Sequence, residues 1–343
     1  MIFYRFYIID IRGTKMKDLL KRILPVSKKA FANQMELLNR KLFETQTELT
    51  DIKKMLYYQL DQQKYPELLK QWYKDRTGNI LDLDDPKTYN EKIQWLKLND
   101  RDPRKTLLSD KYLVRDWIKG KIGEQYLIPL LGVYRNASEI DFSRFPDAFV
   151  LKANHGSGMN QIVRNKAETD LNQLRYQAEG WLRENFTFSE GFEMQYDDIP
   201  RRLLVEKYLN NNGRSLDDYK FWCFDGKCRF IEVIKDRGIN IRMALYDTDW
   251  KRLPYSTGTY PLLDQDPTMP RQIPEMVCLA EKLAEGFPHV RVDLYLLDNG
   301  EIKFGEMTFS SSSGTCRWDP PEADLEVGKM LKLPLKRIKE VNI

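Results

Sequence analysis

The stretch VRVDLYLLDNGEIKFGEMTFSSSSG, Val290 to Gly314, reads as two β-strands joined by a tight turn. Asp298-Asn299-Gly300 supplies the turn signal, because Asn-Gly readily adopts the left-handed backbone that reverses a hairpin. Asp293 stands six residues before Asn299 and Glu306 six after Gly300, so the count sets the two carboxylates directly opposite each other. Two unneutralised carboxylates at one cross-strand pair repel. A hard divalent cation such as Mg2+ relieves that repulsion and takes oxygen ligands. The competing reading is a surface ion pair with Arg291 or Lys303, and the symmetry of the two carboxylates favours metal.

Composition bounds the rest. With 343 residues, 42% of them hydrophobic and 31% charged, the chain is an ordinary soluble one, long enough for two cores or one large multilayer domain. A net charge of +4 leaves no nucleic-acid footprint. Cys223, Cys228, Cys278 and Cys316 show no CxxC spacing, and His155 and His289 are the only histidines, which excludes a His-rich metal site. Reduced thiols in a cytoplasmic protein are the plain expectation. No run approaches the ~20 apolar residues of a spanning helix. The start, MIFYRFYIIDIRG, lacks the plan of a signal peptide, and Met16 is an alternative start.

Residues 1–27 form a basic amphipathic segment, with positive charges at 17, 21 and 22 continuing to 28 and 29. Such a segment suits peripheral contact with the inner face of an anionic membrane. Residues 28–64 carry a heptad register, with Phe31, Met35, Leu38, Leu42, Thr45, Leu49, Ile52, Leu56 and Gln59 at the a and d positions. That spacing predicts a helix pairing with another copy, so a homo-oligomer through residues 28–60, against one helix folded onto its own body. From 65 to 343 the pattern is α+β. The chain DLDDPKTYNEKIQWLKLND enters a helix, SDKYLVRDWIKGKIG reads as a second one from a Ser/Asp cap, and YLIPLLGVY reads as a short buried strand. Short strands then alternate with a helix near 171–185, and the tail 321–343 reads as helical and basic.

Three segments carry groups suited to anions. FVLKANHGSGMNQIV places Lys152 at the end of an apolar strand, before a small loop. Gly156, Ser157 and Gly158 can bring backbone N–H groups close to a phosphate, and Lys152 adds a point charge. No helix follows directly, so the loop is neither a Walker A motif nor a GxGxxG, and a plain hairpin turn is the simpler reading. LLVEKYL is an apolar strand ending in Glu206 and Lys207. DYKFWCFDGK buries Lys220 among aromatic residues, where an unpaired ammonium is costly.

Together these segments resemble the ATP-grasp superfamily and, within it, the TupA-like group found with genes for teichuronopeptide, capsule and other surface polysaccharides. TYNEKIQWLKLND, DKYLVRDWI, FVLKANHGSGMNQIV, LLVEKYL, DYKFWCFDGK and VRVDLYLLDNGEIKFGEMTF carry the resemblance, from about Thr88 to near Leu335. It implies an ATP-grasp fold, two α+β subdomains gripping a nucleotide, with a central subdomain at about 146–209. It implies that Lys111 and Lys152 contact the phosphates of ATP, under a flexible loop from Gly156 to Asn160. Glu206, Lys207 and Leu209 match the strand that reads adenine and ribose. Asp293 and Glu306 match the magnesium carboxylates, and Arg291 an arginine near the transferred phosphoryl group, with Lys220 as a further catalytic candidate. His155 in the loop is an additional phosphate donor or a packing residue. The sequence departs from the usual Glu-x-Asn, having Glu306-Met307-Thr308, so Thr308 stands as the third candidate ligand.

The implied activity is ATP- and Mg2+-dependent ligation of a small carboxylate to an amine or sugar acceptor on a surface-polysaccharide precursor. A glycosyltransferase is the rival, resting on DxD tripeptides at 82–84 and 247–249. A non-catalytic nucleotide-binding scaffold organised by the heptad helix is the third reading.

Overall fold

The structure, a computed structural model, describes residues 60–211, 216–237 and 240–334, with scattered helical positions between 33 and 59. Residues 1–53 and 54–343 form separate compact units. In the first, Met35, Leu38, Thr45, Leu49 and Ile52 are helical, as the heptad register requires, while Phe31, Leu42 and the basic segment 1–27 lie outside the described residues. Leu56 and Gln59 are helical too. No described helix is long and apolar enough to cross a membrane.

The second unit is α+β, with two antiparallel sheets. The smaller sheet has the order β1-β4-β2-β3, from β1 (Leu130–Tyr134), β2 (Phe149–Ala153), β3 (Asn160–Val163) and β4 (Leu203–Lys207). It draws β1 from outside the 146–209 range expected for the central subdomain, and β1 is only half-buried, not the buried strand its apolar letters suggest. The larger sheet runs β7-β6-β5-β8-β9, from β5 (Asp217–Phe224), β6 (Lys227–Lys235), β7 (Arg242–Tyr246), β8 (His289–Leu296) and β9 (Ile302–Thr308).

Local chemistry fixes the element ends. Thr88 and Glu91 close a capping box at the start of the helix Tyr89–Asn99, satisfying two otherwise orphaned N–H groups. Asp225 and Gly226 both take positive φ in the β5–β6 turn, the pairing an Asp-Gly hairpin needs. The 110–121 stretch departs from expectation. A helix Arg104–Ser109 ends at Asp110, whose carboxylate accepts the N–H groups of Tyr112 and Leu113, and the next helix begins only at Val114. Lys111 therefore stands in a turn and not on a helix. The tail is helical over Ala323–Met330, and residues 335–343 lie outside the described residues.

Strand alternation sorts the larger sheet into two faces. Tyr219, Phe221, Cys223, Ile231 and Val233 face one way and pack with Ile273, Met276, Ala280 and Leu283 of the helix Ile273–Ala284. On the other side Phe224, Phe230, Met243 and Leu245 pack with Tyr89, Ile93 and Val327. Each wholly buried aromatic or aliphatic side chain there stabilises the fold by roughly 1.5–3 kcal/mol. The helices cover only part of that second face. The part they leave open carries Asp218, Lys220, Arg291, Asp293 and Glu306, and it turns toward the smaller sheet.

The β8–β9 hairpin reaches its expected pairing by an unexpected route. Its turn is a three-residue loop, closed by Gly300 N–H to Leu297 O (2.8 Å) and Leu297 N–H to Glu301 O (2.9 Å), with Gly300 at φ 84°. That sets Leu296 opposite Ile302 and Leu294 opposite Phe304, one residue off the symmetric count. A bulge at Gly305 then restores the register, and Asp293 faces Glu306. A Cβ on residue 305 would stand 3.0 Å from the Asp293 carbonyl oxygen, so glycine is what lets the bulge sit this close.

Candidate active site

Between the two sheets lies a cavity of about 640 Å³. Lys152 and Val150 of β2, Glu206 and Lys207 of β4 and the loop Gly156–Asn160 line one wall, and Lys220, Arg291, Asp293 and Glu306 line the other. Lys111 and Leu209 complete it, so twelve of the fourteen expected site residues line one cavity.

The loop wall is built for close approach. Lys152 pairs with Asn160 across β2–β3, and Ala153 N–H bonds Met159 O (2.9 Å) at the loop's neck. Gly156 sits at φ 105°, where a Cβ would meet Met159 and Phe186 at 2.7 and 2.8 Å, and Gly158 sits at φ 75°. Both positions need glycine. Lys111 reaches in from its turn to donate to the carbonyl of Gly156 (2.5 Å). The turn is fastened by Asn154, which is fully buried. Its backbone carbonyl accepts the Lys111 N–H (3.1 Å), and its side chain bonds Pro200 O and Arg202 N–H. Lys152 pairs with Glu206 (2.7 Å), which Arg115 also approaches (3.8 Å).

The opposite wall is a charged network. Arg291 grips Asp293 in a two-pronged contact (Nε–Oδ1 2.7 Å, Nη2–Oδ2 2.8 Å) and also reaches Glu306 (3.2 Å). Lys220 bonds Asp293 and lies 3.3 Å from Asp218, while Lys111 lies 3.8 Å from Glu306. Burial would raise the Asp293 pKa, but Arg291 and Lys220 outweigh it and hold the carboxyl below its usual range. Burial and Arg291 would lower Lys220, yet Asp218, Asp293 and Glu306 raise it, so it stays an ammonium. Burial is the largest influence on Lys111 and lowers its pKa, against the pull of Glu306.

Two expected site residues fall elsewhere. His155 is 2% exposed and does not line the cavity. Burial drops its pKa to about 4, so the imidazole is neutral near neutral pH, and its place outside the cavity favours the packing role over the phosphate donor. Thr308 does not line the cavity either. Its hydroxyl bonds Glu306 (3.2 Å) and accepts from Arg291 (3.1 Å), so it orients the carboxylate and guanidinium. Asp218, Glu232, Arg237 and Asn154 are the residues the sequence reading missed. Asp218 shares the alternation that exposes Lys220, and Glu232 is its cross-strand partner, whereas Arg237 lies in the turn after β6.

The donor set fits Mg2+. Among the described residues no group of three His, Cys, Asp or Glu could hold a metal alone. Mg2+ commonly asks for less, one or two carboxylates completed by phosphate oxygens and water, and Asp293 with Glu306 supply the pair. The two DxD tripeptides do not compete. Asp82 accepts the N–H groups of Asp84 and Asp85, Asp247 accepts those of Asp249 and Lys251, and none of these aspartates lines the cavity.

Comparison with known proteins places this geometry. No curated protein matches by sequence. Among solved structures, the D-alanine–D-alanine ligase of Bacillus anthracis complexed with ATP shows 16% identity and TM-score 0.37, over 59% of this chain and 55% of that one. The D-alanine–D-alanine ligase of Helicobacter pylori shows 15% and 0.34, over 66% and 62%. N5-carboxyaminoimidazole synthetase of Staphylococcus aureus complexed with ADP shows 12% and 0.38, over 66% and 53%. The chain thus spans less than two thirds of each, and TM-scores this low carry no further weight. The TupA-like ATPgrasp family profile, in contrast, matches residues 91–332, more than half of the chain and a span that holds both sheets and the cleft. The chain belongs to the TupA-like ATP-grasp family.

Proposed function

We propose that the protein is an ATP- and Mg2+-dependent ligase that joins a small carboxylate to an amine through an acylphosphate. The observation that carries this reading is the opposed pair Asp293 and Glu306, gripped by Arg291 and facing Lys152, Lys111 and a glycine loop across one cleft. In the proposed reaction a substrate carboxylate oxygen attacks the γ-phosphorus of ATP and ADP leaves. The amine nitrogen then bonds the acyl carbon as the C–O bond to phosphate breaks, and phosphate departs with the electron pair. Lys111, Lys152 and Arg291 neutralise phosphate charge in both steps, and the glycine loop excludes water. Asp293 and Glu306 would hold Mg2+, which supplies positive charge to the phosphate oxygens when bound. No side-chain nucleophile is required, and Cys223, Cys228 and Cys316 are buried core residues.

The test is incubation with Mg-ATP, candidate carboxylates, amino acids and amino sugars, read by mass spectrometry. ADP, phosphate and a condensed product are expected, with a hydroxamate when hydroxylamine replaces the amine. AMP and pyrophosphate, or ADP without hydroxamate, would overturn the acylphosphate route.

Family membership supports placing the reaction in synthesis or decoration of a bacterial surface polysaccharide, in the cytoplasm or at the inner face of the membrane. The heptad positions of 28–60 support self-association. Tyr58 packs edge-on against Phe188 and bonds Asp197, so a truncated chain should begin at Lys54, ahead of Tyr58. Such a chain is expected to be monomeric by light scattering, to retain ATP binding and to lose anionic-vesicle cosedimentation. A monomeric full-length chain would remove the coiled-coil proposal, and cosedimentation unchanged by the truncation would remove membrane contact through 1–27.

A further inference from the structure

The cleft face of the larger sheet carries one more acid than base. Asp218, Glu232, Asp293 and Glu306 stand against Lys220, Arg237 and Arg291. Asp218 pairs with Arg237 (2.6 Å) and Lys220, Asp293 with Lys220 and Arg291, and Glu306 with Arg291 and, from the other wall, Lys111. Glu232 is left over. It is 4% exposed, and no described cation pairs with it. Its Oε2 accepts from Trp222 Nε1 (3.1 Å) and its Oε1 from Thr257 Oγ1 (3.4 Å), while the Thr257 hydroxyl also bonds that of Thr259 (3.0 Å). A buried carboxylate without a counter-charge costs stability. The two carboxylate oxygens answer two donors, which the single acceptor oxygen of a glutamine could not do, and the negative charge is left for a cationic occupant.

Resting on the ligase reading, we propose that Glu232, with Thr257 and Thr259, forms the subsite that binds a second, non-reacting ammonium group of the amine acceptor. The sheet register places it well. Lys220 pairs across the sheet with Glu232 on one side and with Asp293 on the other. Glu232 therefore lies two strand spacings, about 10 Å, from Asp293, and one spacing further from Glu306. A small acceptor anchored there can direct its reactive end back toward the acyl carbon. An ammonium gains a charge-assisted bond at this site that a neutral hydroxyl in its place cannot make. Burial raises the Glu232 pKa, with Lys220 and Arg291 opposing, and a bound ammonium would add to that opposition.

The test uses the full-length protein with Mg2+ and a non-hydrolysable ATP analogue bound. Ethanolamine, glycinamide and cadaverine are titrated calorimetrically, with ethylene glycol as the uncharged control. At least one amine should bind where ethylene glycol does not. Glu232→Gln should weaken that amine at least tenfold while nucleotide affinity changes less than twofold. Thr257→Val, which keeps the charge and removes one bond, should give a smaller loss and stands in if Glu232→Gln fails to fold. The proposal is overturned if no amine binds, or if amine affinity is unchanged in Glu232→Gln, or in Thr257→Val when that variant stands in. A nucleotide affinity that falls in Glu232→Gln also overturns it, since the carboxylate would then serve the metal or phosphates. Nucleotide binding without amine binding sinks this subsite alone, whereas failure to bind nucleotide sinks the ligase reading and the subsite with it.

Discussion

Glu306→Gln is expected to lower Mg-ATP turnover by about two to three orders of magnitude, the usual scale for removing one preorganised charge from a reacting site, with little change in stability. Asp293→Asn should lose at least as much turnover and destabilise the fold as well. The difference lies in their surroundings. The Glu306 side chain is 34% exposed and water can solvate what replaces it, whereas that of Asp293 is 3% exposed and neutralises both Lys220 and Arg291. Removing one partner of a buried ion pair costs roughly 3–5 kcal/mol. Here the loss should fall toward the lower bound, because Lys220 keeps Asp218 and Arg291 keeps Glu306. Steady-state rates at limiting Mg2+ and urea midpoints separate the two effects. Wild-type turnover at limiting Mg2+ in Glu306→Gln would refute the metal assignment, and an unshifted urea midpoint in Asp293→Asn would refute the account of the buried network.

The opposed carboxylates were legible in the sequence for a reason that was partly fortunate. A two-residue turn centred on Asn299-Gly300 would set Asp293 against Glu306 by simple counting. The hairpin instead turns on three residues and regains the register through the bulge at Gly305. Two one-residue displacements cancel, and the pair is the same. Gly305 was the available signal, since glycine inside a strand often marks a bulge. Lys152 and the glycine loop were readable because a strand, a loop and its return strand are contiguous in sequence. Glu232 and Asp218 were not, because Glu232 bonds Trp222 and Thr257 and Asp218 pairs with Arg237, contacts made between strands and loops far apart in sequence. His155 was left open between phosphate donor and packing residue because its loop position does not say which way the imidazole points, and the structure buries it. The break between the helices at 104–109 and 114–121 hid behind the capping chemistry of Asp110, which ends one helix and shapes the turn before the next.

Lys152→Met and Lys111→Met should each weaken ATP binding by about 1.5–3 kcal/mol, the range for a hydrogen bond to a charged group, which is about ten- to a hundredfold in Kd. They should differ in what else they disturb. Lys152 lies 2.7 Å from Glu206, whose side chain is 6% exposed and among the described residues has only Arg115, at 3.8 Å, as a second paired cation. Losing Lys152 leaves that carboxylate nearly uncompensated, so the free protein should also be less stable. Lys111 ties the glycine loop through the Gly156 carbonyl and sits 3.8 Å from Glu306, which spans the two walls of the cleft. Losing Lys111 should spare β4 and loosen the loop, which native-state hydrogen exchange at 156–160 would report. In the proposed reaction the two lysines, both on the loop wall, serve one phosphate chain, so the double variant should deviate from additivity by more than 0.5 kcal/mol. Unchanged nucleotide affinity in both single variants would mean that ATP is not held by this cleft. Strictly additive losses would mean that the lysines bind separate groups, and then Lys111, beside Glu306, is the one left at the transferred phosphate.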